Sequence, residues 1–411
     1  MKQKGMRGLC YAFGIVAMTN LVSAVVDLPL KVQMLLVALP TIWIGARDSL
    51  KRSSVAKLLG EEACDMHEYG RQQEVIGSDD AKWFPVMASC MLFGVWLVFK
   101  YAPPQLIKYV IAAYMCFVGI SSVFMAQWSL VRVARAESFL KSKPFLAKTL
   151  FQIDLNQHKV LAYVAKQLGV DMKKSVKVLT GADAVFGAVS LFVVVVYTLT
   201  KHWMFNNMIA FCLCVQAVGL LRLGSYKAAA MLLAGLFVYD VFWVFGTPVM
   251  VDVATKFDGP IKFLFPVTKD GARAYSLLGL GDVVMPGIFL ALVFRFDVMQ
   301  RGAAALRGRD RIFQGACVGY VVGLAVTVVA MRVFQHAQPA LLYLVPGVLL
   351  GSLGGAFATG GLKEVTSLIK YEEAEDVDPA DDDDFEYVEP TEADADQTAP
   401  EQSPADTKKQ Q

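Results

Sequence analysis

Apolar residues in this chain gather into long unbroken runs, with neither the alternation of a half-buried strand nor the three-four spacing of a soluble helix. Nine such runs follow one another, at approximately 28–46, 83–100, 105–129, 182–200, 204–221, 228–250, 274–296, 312–334 and 338–358. Each is long enough to cross a bilayer as a helix. An earlier apolar run over 9–26 follows Lys2, Lys4 and Arg7 and contains the small residues Ser23 and Ala24. That is the pattern of a cleaved signal peptide, or of a retained signal-anchor helix. The expected fold is an all-α polytopic membrane protein. Nine transmembrane helices over 28–371 follow a signal peptide or signal-anchor at 1–26, and a tail occupies 372–411.

Charge between the runs sets an orientation. Arg47, Lys51, Arg52 and Lys57 follow the first run. Arg132, Arg135, Lys141, Lys143, Lys148, Lys173, Lys174 and Lys177 follow the third, and Arg301, Arg307, Arg309 and Arg311 follow the seventh. The alternate connections 101–104, 201–203 and 335–337 hold a single lysine, Lys201. Basic loops stay cytosolic. The segments 47–82, 130–181, 297–311 and the C-terminus are therefore expected in the cytosol, with the mature N-terminus and the 251–273 loop in the lumen. A surface helix is expected over 145–168.

Composition agrees with this class: 55% of residues are hydrophobic and 18% charged. The net charge of +2 conceals an acidic tail that includes Asp381, Asp382, Asp383 and Asp384. Such a tail buries no core and is expected to be disordered. Lys408 and Lys409 near its end resemble a dilysine retrieval signal to the endoplasmic reticulum. Cys10, Cys64, Cys90, Cys116, Cys212, Cys214 and Cys317 match no zinc or redox spacing and read as small apolar residues.

Two runs carry a carboxylate where none is cheap. Asp240 stands in Leu-Phe-Val-Tyr-Asp-Val-Phe-Trp-Val-Phe-Gly, and Asp282 in Leu-Leu-Gly-Leu-Gly-Asp-Val-Val-Met-Pro-Gly. An ionisable group at membrane depth is expensive, marks function by default and wants a partner. Consecutive spans most simply lie antiparallel. Asp240 then sits about ten residues from the loop-side end of its run and Asp282 about eight, a depth difference of only ~3 Å at ~1.5 Å per residue. Each is the other's partner. Two facing carboxyls in low dielectric do not both ionise cheaply, so one keeps its proton as general acid while the other activates water. Gly279 and Gly281 let the backbone beside Asp282 be approached closely. The bland alternative makes each Asp a structural acceptor or ion relay and the glycines ordinary helix contacts.

Other residues have two readings each. Pro339 removes a backbone donor and disfavours helix at Gln338, which makes the start of the last span either a cavity wall or an ordinary helix start. Tyr239 either donates to a neighbouring carboxylate or packs. The stretch 259–266, bounded by Pro260 and Pro266, either offers a strand edge to an unwound substrate or rests at the lipid interface. Gln216, Asn206 and Asn207 are expected to bridge helices.

Tyr239-Asp240 and Gly279-Leu280-Gly281-Asp282 on neighbouring spans, followed by Gln338-Pro339-Ala340-Leu341, resemble the motifs of the signal peptide peptidase family of presenilin-type intramembrane aspartyl proteases. The wider strings Tyr-Asp-Val-Phe-Trp-Val-Phe-Gly and Gln-Pro-Ala-Leu-Leu-Tyr-Leu-Val-Pro are more similar to the signal peptide peptidase branch than to presenilin. The resemblance spans roughly 28–371. It implies an aspartic endopeptidase in the endoplasmic reticulum membrane, with Asp240 and Asp282 catalytic and no cofactor or metal. Tyr239, Gly279, Leu280, Gly281, Gln338, Pro339, Ala340 and Leu341 would shape the centre and bind substrate. Its partners would be the bilayer and substrate helices, namely signal peptides and other spans with cytosolic N-termini. A homo-oligomer is left open and nucleic acid is not implied. The alternative from another class is a secondary transporter or cation leak pathway using the Asp pair as an ion site. Other protease chemistries lack their residues: His67-Glu68 is followed by Arg71 where a zinc motif needs a second His, and no Gly-x-Ser-x-Gly occurs.

Overall fold

A computed structural model describes residues 30–50, 74–134, 145, 148–154, 176–247, 249, 259–269, 272–306, 308, 310–334 and 338–373. The segment 1–26, most of 130–181, and the tail beyond Glu373 with Lys408 and Lys409 lie outside these residues. The long helices are α1 (Leu30–Asp48), α2 (Ser78–Tyr101), α3 (Pro104–Ala134), α4 (Gly181–Thr200) and α5 (Trp203–Leu220), then α6 (Tyr226–Phe245), α7 (Gly281–Arg301), α8 (Arg311–Phe334) and α9 (Leu341–Ile369). All but α1 and α7 are long and apolar enough to cross a membrane, seven helices among the described residues. The chain is a mostly helical, multi-pass membrane protein.

The helix that carries Asp282 is the one most enclosed by protein. From Val283 to Val298 every residue of α7 except Met285 is buried. Helices α1, α5, α6, α8 and α9 all pack against it. From Val283 to Phe294 this helix is apolar on every side, as suits a place enclosed by other helices. The outer helices instead turn large side chains outward: Trp83 on α2 is 64% exposed, Phe117 on α3 74% and Leu199 on α4 80%. Apolar surface on that scale suits contact with lipid.

Three two-stranded sheets modify the all-α expectation. Strand β1 (Glu74–Ile76) lies parallel to β4 (Leu221–Leu223). Strand β2 (Thr149–Asp154) is antiparallel to β3 (Val176–Thr180), so within the expected surface helix over 145–168 the described residues 149–154 are strand. Its run Thr-Leu-Phe-Gln-Ile-Asp is rich in β-formers and finds a partner in Val-Lys-Val-Leu-Thr. Strands β5 (Lys262–Lys269) and β6 (Ala272–Gly279) form an antiparallel hairpin that leads into α7. The seventh span thus starts at Gly281 and not at 274, because a short apolar run reads equally well as strand or helix and pairing decides. The sixth ends at Phe245 and not at 250, since Thr247 precedes a proline. The last starts three residues later than 338 and continues past 358 to Ile369, across a break at Gly360 and Gly361, the latter with φ +64°.

Helices α8 and α9 meet backbone to backbone. Gly315, Gly319 and Gly323 recur every fourth residue on α8, and Gly347, Gly351 and Gly355 answer them on α9. A Cβ built on Gly315 would stand 2.7 Å from the carbonyl oxygen of Gly351, and one on Gly323 2.7 Å from that of Tyr343. Small residues at such spacing are how membrane helices approach closely. Beyond α9 the chain is tied back to the bundle. Tyr226 N–H donates to the Tyr371 carbonyl (3.1 Å), and Arg295 Nε donates to the buried Glu373 carboxylate. Arg222 Nη2 lies 2.9 Å from the same carboxylate. Burial, then the Glu373 carboxylate alongside, push the Tyr371 phenol above its ordinary value.

The glycine seam makes a paired prediction. Gly315→Leu should destabilise the purified protein by about 1–3 kcal/mol or more, because its side chain has no room. Gly354→Leu, where a Cβ meets nothing within 4 Å, should leave the melting temperature nearly unchanged. Equal melting temperatures for both variants in detergent would show that the seam is not close-packed.

Candidate active site

Helix α6 presents Asp240 in its last third, 4% exposed. Its start is capped by Ser225, whose Oγ accepts from Ala228 N–H at 3.1 Å. The Asp240 carboxylate is not left to itself: Oδ2 accepts the backbone N–H of Leu341 at 3.0 Å. Leu341 is the first residue of α9, and Gln338 and Pro339 before it are outside the helix. The Pro339-Ala340-Leu341 turn therefore lies directly on the Asp240 carboxylate. Pro339 and Leu341 are buried, and Ala340 packs on the core. Gln338 Oε1 accepts from Tyr343 Oη at 3.4 Å, one turn along.

Asp282 is the second residue of α7, not eight residues into a span as the run 274–296 implied. Asp282 therefore stands at the start of its helix and not at mid-span. The two carboxylates nevertheless lie close enough for their charges to act on each other. A Cβ on Gly279 would stand 3.3 Å from Asp282 Oδ2, so a side chain there would press on that carboxylate. Gly281 is exposed, and a Cβ on it meets nothing within 4 Å, so packing alone does not call for glycine. Leu280 N–H donates to the Ile261 carbonyl at 3.1 Å, and the Leu280 carbonyl accepts from Val284 N–H at 2.8 Å. Leu280 thus closes the hairpin and opens the helix. Tyr239 packs its ring on Trp243, with centroids 6.3 Å apart. Trp243 in turn donates to Ser89 Oγ on α2 at 3.1 Å.

The hairpin is held from behind by two side chains expected to bridge helices. Asn207 of α5 accepts from Leu264 N–H at 2.8 Å and donates to the Leu264 carbonyl at 2.9 Å. Asn206 donates to the Lys262 carbonyl at 2.8 Å. The pair imitates a neighbouring strand along the outer edge of β5. Gln216 does bridge helices, donating to Ser129 Oγ of α3 at 3.4 Å.

Those bonds fix which backbone groups of the hairpin face where. Leu264 and Lys262 point away from β6, so their opposite numbers Leu277 and Gly279 point away from β5. Tyr275, opposite Pro266, does the same. Pro266 falls where its missing N–H costs no rung of the ladder. Among the described residues no strand pairs with that outer edge of β6. It runs straight to Asp282. Of the two readings given for 259–266, a strand edge or a loop at the lipid interface, residues 262–266 are strand, paired with β6 along one edge and with Asn206 and Asn207 along the other.

Sequence reasoning missed Tyr320, wholly buried on α8, whose hydroxyl donates to the Asp282 carbonyl at 3.3 Å. No cluster of metal-ligating side chains occurs among the described residues.

Comparison with known proteins agrees with the motifs. The sequence profile described as signal peptide peptidase matches residues 68–373. Signal peptide peptidase of Homo sapiens is 36% identical over 351 residues, covering 84% of either chain. That of Mus musculus is 35% identical over 352 residues, again 84% of either chain. Intramembrane protease 2 of Caenorhabditis elegans is 43% identical over 199 residues, 45% of this chain and 42% of that protein.

Proposed function

The chain belongs to the signal peptide peptidase family, and on that premise we propose an intramembrane aspartic endopeptidase whose catalytic pair is Asp240 and Asp282. The observation that carries this reading is the Leu341 N–H bond to Asp240 Oδ2. It ties the third motif to the first, while Asp282 stands within charge range of the same carboxylate. The relatives are proteases, which leaves the transport alternative with no observation in its favour.

The pair shares one proton. Water between the carboxyls gives a proton to the ionised one as its oxygen attacks the scissile carbonyl carbon. The protonated carboxyl meanwhile donates to the carbonyl oxygen. Collapse of the tetrahedral intermediate returns a hydroxyl proton to the carboxyl that gave one and breaks the C–N bond, while the departing nitrogen takes the proton held by the other, which restores the singly protonated pair. Neither a metal nor a cofactor enters these steps.

A helical substrate must first unwind, because its amides are already hydrogen-bonded and shielded. The outer edge of β6 offers replacement partners at Tyr275, Leu277 and Gly279, immediately before Asp282. A substrate strand added there is delivered to the pair. Tyr239, Leu280, Gly281 and the Gln338–Leu341 turn are the remaining walls of this site.

For the membrane we propose nine crossings, the seven apolar helices together with α1 and α7. Asp48 of α1 and Arg295 and Asp297 of α7 are buried among the other helices, so these charges meet protein and not lipid. Basic loops place the ends of α1, α3 and α7 in the cytosol. Helix α6 then runs from cytosol to lumen, and substrates are spans with cytosolic N-termini, as signal peptides are. Such substrates place the protein in the endoplasmic reticulum membrane.

Asp240→Ala and Asp282→Ala should each abolish cleavage of a labelled signal peptide by purified, folded protein. Appreciable turnover by either variant would sink the two-carboxyl mechanism. Leu277→Pro removes an outward N–H without touching the hairpin ladder. It should raise KM about fivefold or more, as expected for one lost hydrogen bond, and leave the melting temperature close to wild type. An unchanged KM would remove β6 from substrate binding. Orientation is checked with Asn-x-Thr acceptors engineered within 251–258 and within 374–404. Glycan is expected on the first and not on the second; glycan on the tail would invert the topology and the substrate direction with it.

A further inference from the structure

We infer that Tyr320 is a positioning residue for Asp282, its hydroxyl replacing a backbone donor that Pro286 withholds. In an α-helix the carbonyl of residue 282 is closed by the N–H of residue 286. Here residue 286 is proline, inside α7 and buried. It has no N–H to give, and its ring crowds that same carbonyl. The orphaned acceptor belongs to Asp282 itself, on a helix packed among five others. A buried acceptor without a partner is costly.

Tyr320 answers that need from the neighbouring helix. Its side chain is fully buried on α8, and its hydroxyl donates to the Asp282 carbonyl at 3.3 Å. A tyrosine in apolar surroundings needs a partner for its own hydroxyl, so the two requirements meet. The bond acts on the backbone of the reacting residue, one turn of helix after the hairpin ends. With the proline present, the Asp282 carbonyl has no rung in the ladder of α7 and is held instead from α8. The glycine seam fixes α8 in turn against α9, whose first N–H holds Asp240. One rigid helix pair therefore sets both carboxylates. Tyr320 touches neither the substrate nor the reacting atoms; it acts through Asp282.

The inference rests on Asp282 being catalytic, and its test separates the two. Cleavage of a labelled signal peptide is followed with full-length wild type, Tyr320→Phe, Pro286→Ala and the double variant, with Asp282→Ala alongside. Tyr320→Phe should lower kcat about tenfold, the cost of leaving one buried acceptor unpaired, with KM within about twofold of wild type. In the Pro286→Ala background residue 286 carries an N–H again, and Tyr320→Phe should then cost less than about threefold. An equal loss in both backgrounds, or no loss from Tyr320→Phe alone, overturns the inference. If Pro286→Ala does not fold, Tyr320 is replaced by 4-aminophenylalanine, which keeps a donor, and by 4-methoxyphenylalanine, which does not. Recovery of kcat by the first only is expected; recovery by both or by neither overturns the inference. Turnover by Asp282→Ala would instead remove the catalytic reading, whatever Tyr320 does.

Discussion

The close approach of α8 and α9 is the constraint on which the rest depends. Six glycines let two backbones touch, and no side chain stands between them to yield. From that pair two polar groups reach out, each to a different motif. Tyr320 Oη reaches the Asp282 carbonyl, and Leu341 N–H reaches the Asp240 carboxylate. Asp240 and Asp282 sit on separate helices joined by a long connection, so their relation is not secured by sequence proximity. It is secured through a third element that both touch. Precision of this kind needs supporting groups whose own positions are locked by packing.

The second constraint is the membrane's intolerance of unpaired backbone. This fold breaks regular helix at three places around the site: the β6–α7 junction, the turn before Leu341, and Pro286. Each break has its partner. Leu280 N–H goes to Ile261, and the outer groups of Leu264 and Lys262 go to Asn207 and Asn206. The Asp282 carbonyl goes to Tyr320. Among the described residues no strand covers the outer edge of β6, the edge proposed above to take a substrate strand.

The positions of the apolar runs were legible because hydropathy over about twenty residues is a strong signal. The motif residues were legible because a carboxylate inside such a run is costly and rare. Element ends were less so. The run 274–296 is continuous in hydropathy, yet 274–279 is strand, and only the partner strand at 262–269 decides that. Asn206 and Asn207 read as helix bridges because nothing local says that a strand will pass beside them. Tyr320 was invisible for the same reason. Its importance comes from a proline on another helix, 34 positions earlier by the difference between 320 and 286. A pairwise geometry of that kind leaves no mark in composition or spacing.

The corrected start of α7 changes the electrostatics more than the depth. With Asp282 in the first turn, its carboxylate lies at the end of a helix where backbone N–H groups are unpaired and negative charge is best tolerated. Asp240, by contrast, stands in the last third of α6, the unfavourable end of its own helix. The Leu341 bond redresses this. Leu341 opens α9, so Asp240 too faces a helix N-terminus, though not that of the helix that carries it. Each carboxylate is thereby set at the positive end of a helix, and the two helices are different. Backbone dipoles fixed in place substitute for the water that a membrane interior lacks, and they need no rearrangement when a charge is set before them. A continuous helix through 274–296 would have buried Asp282 in mid-span, with its neighbouring N–H groups already spent on the ladder.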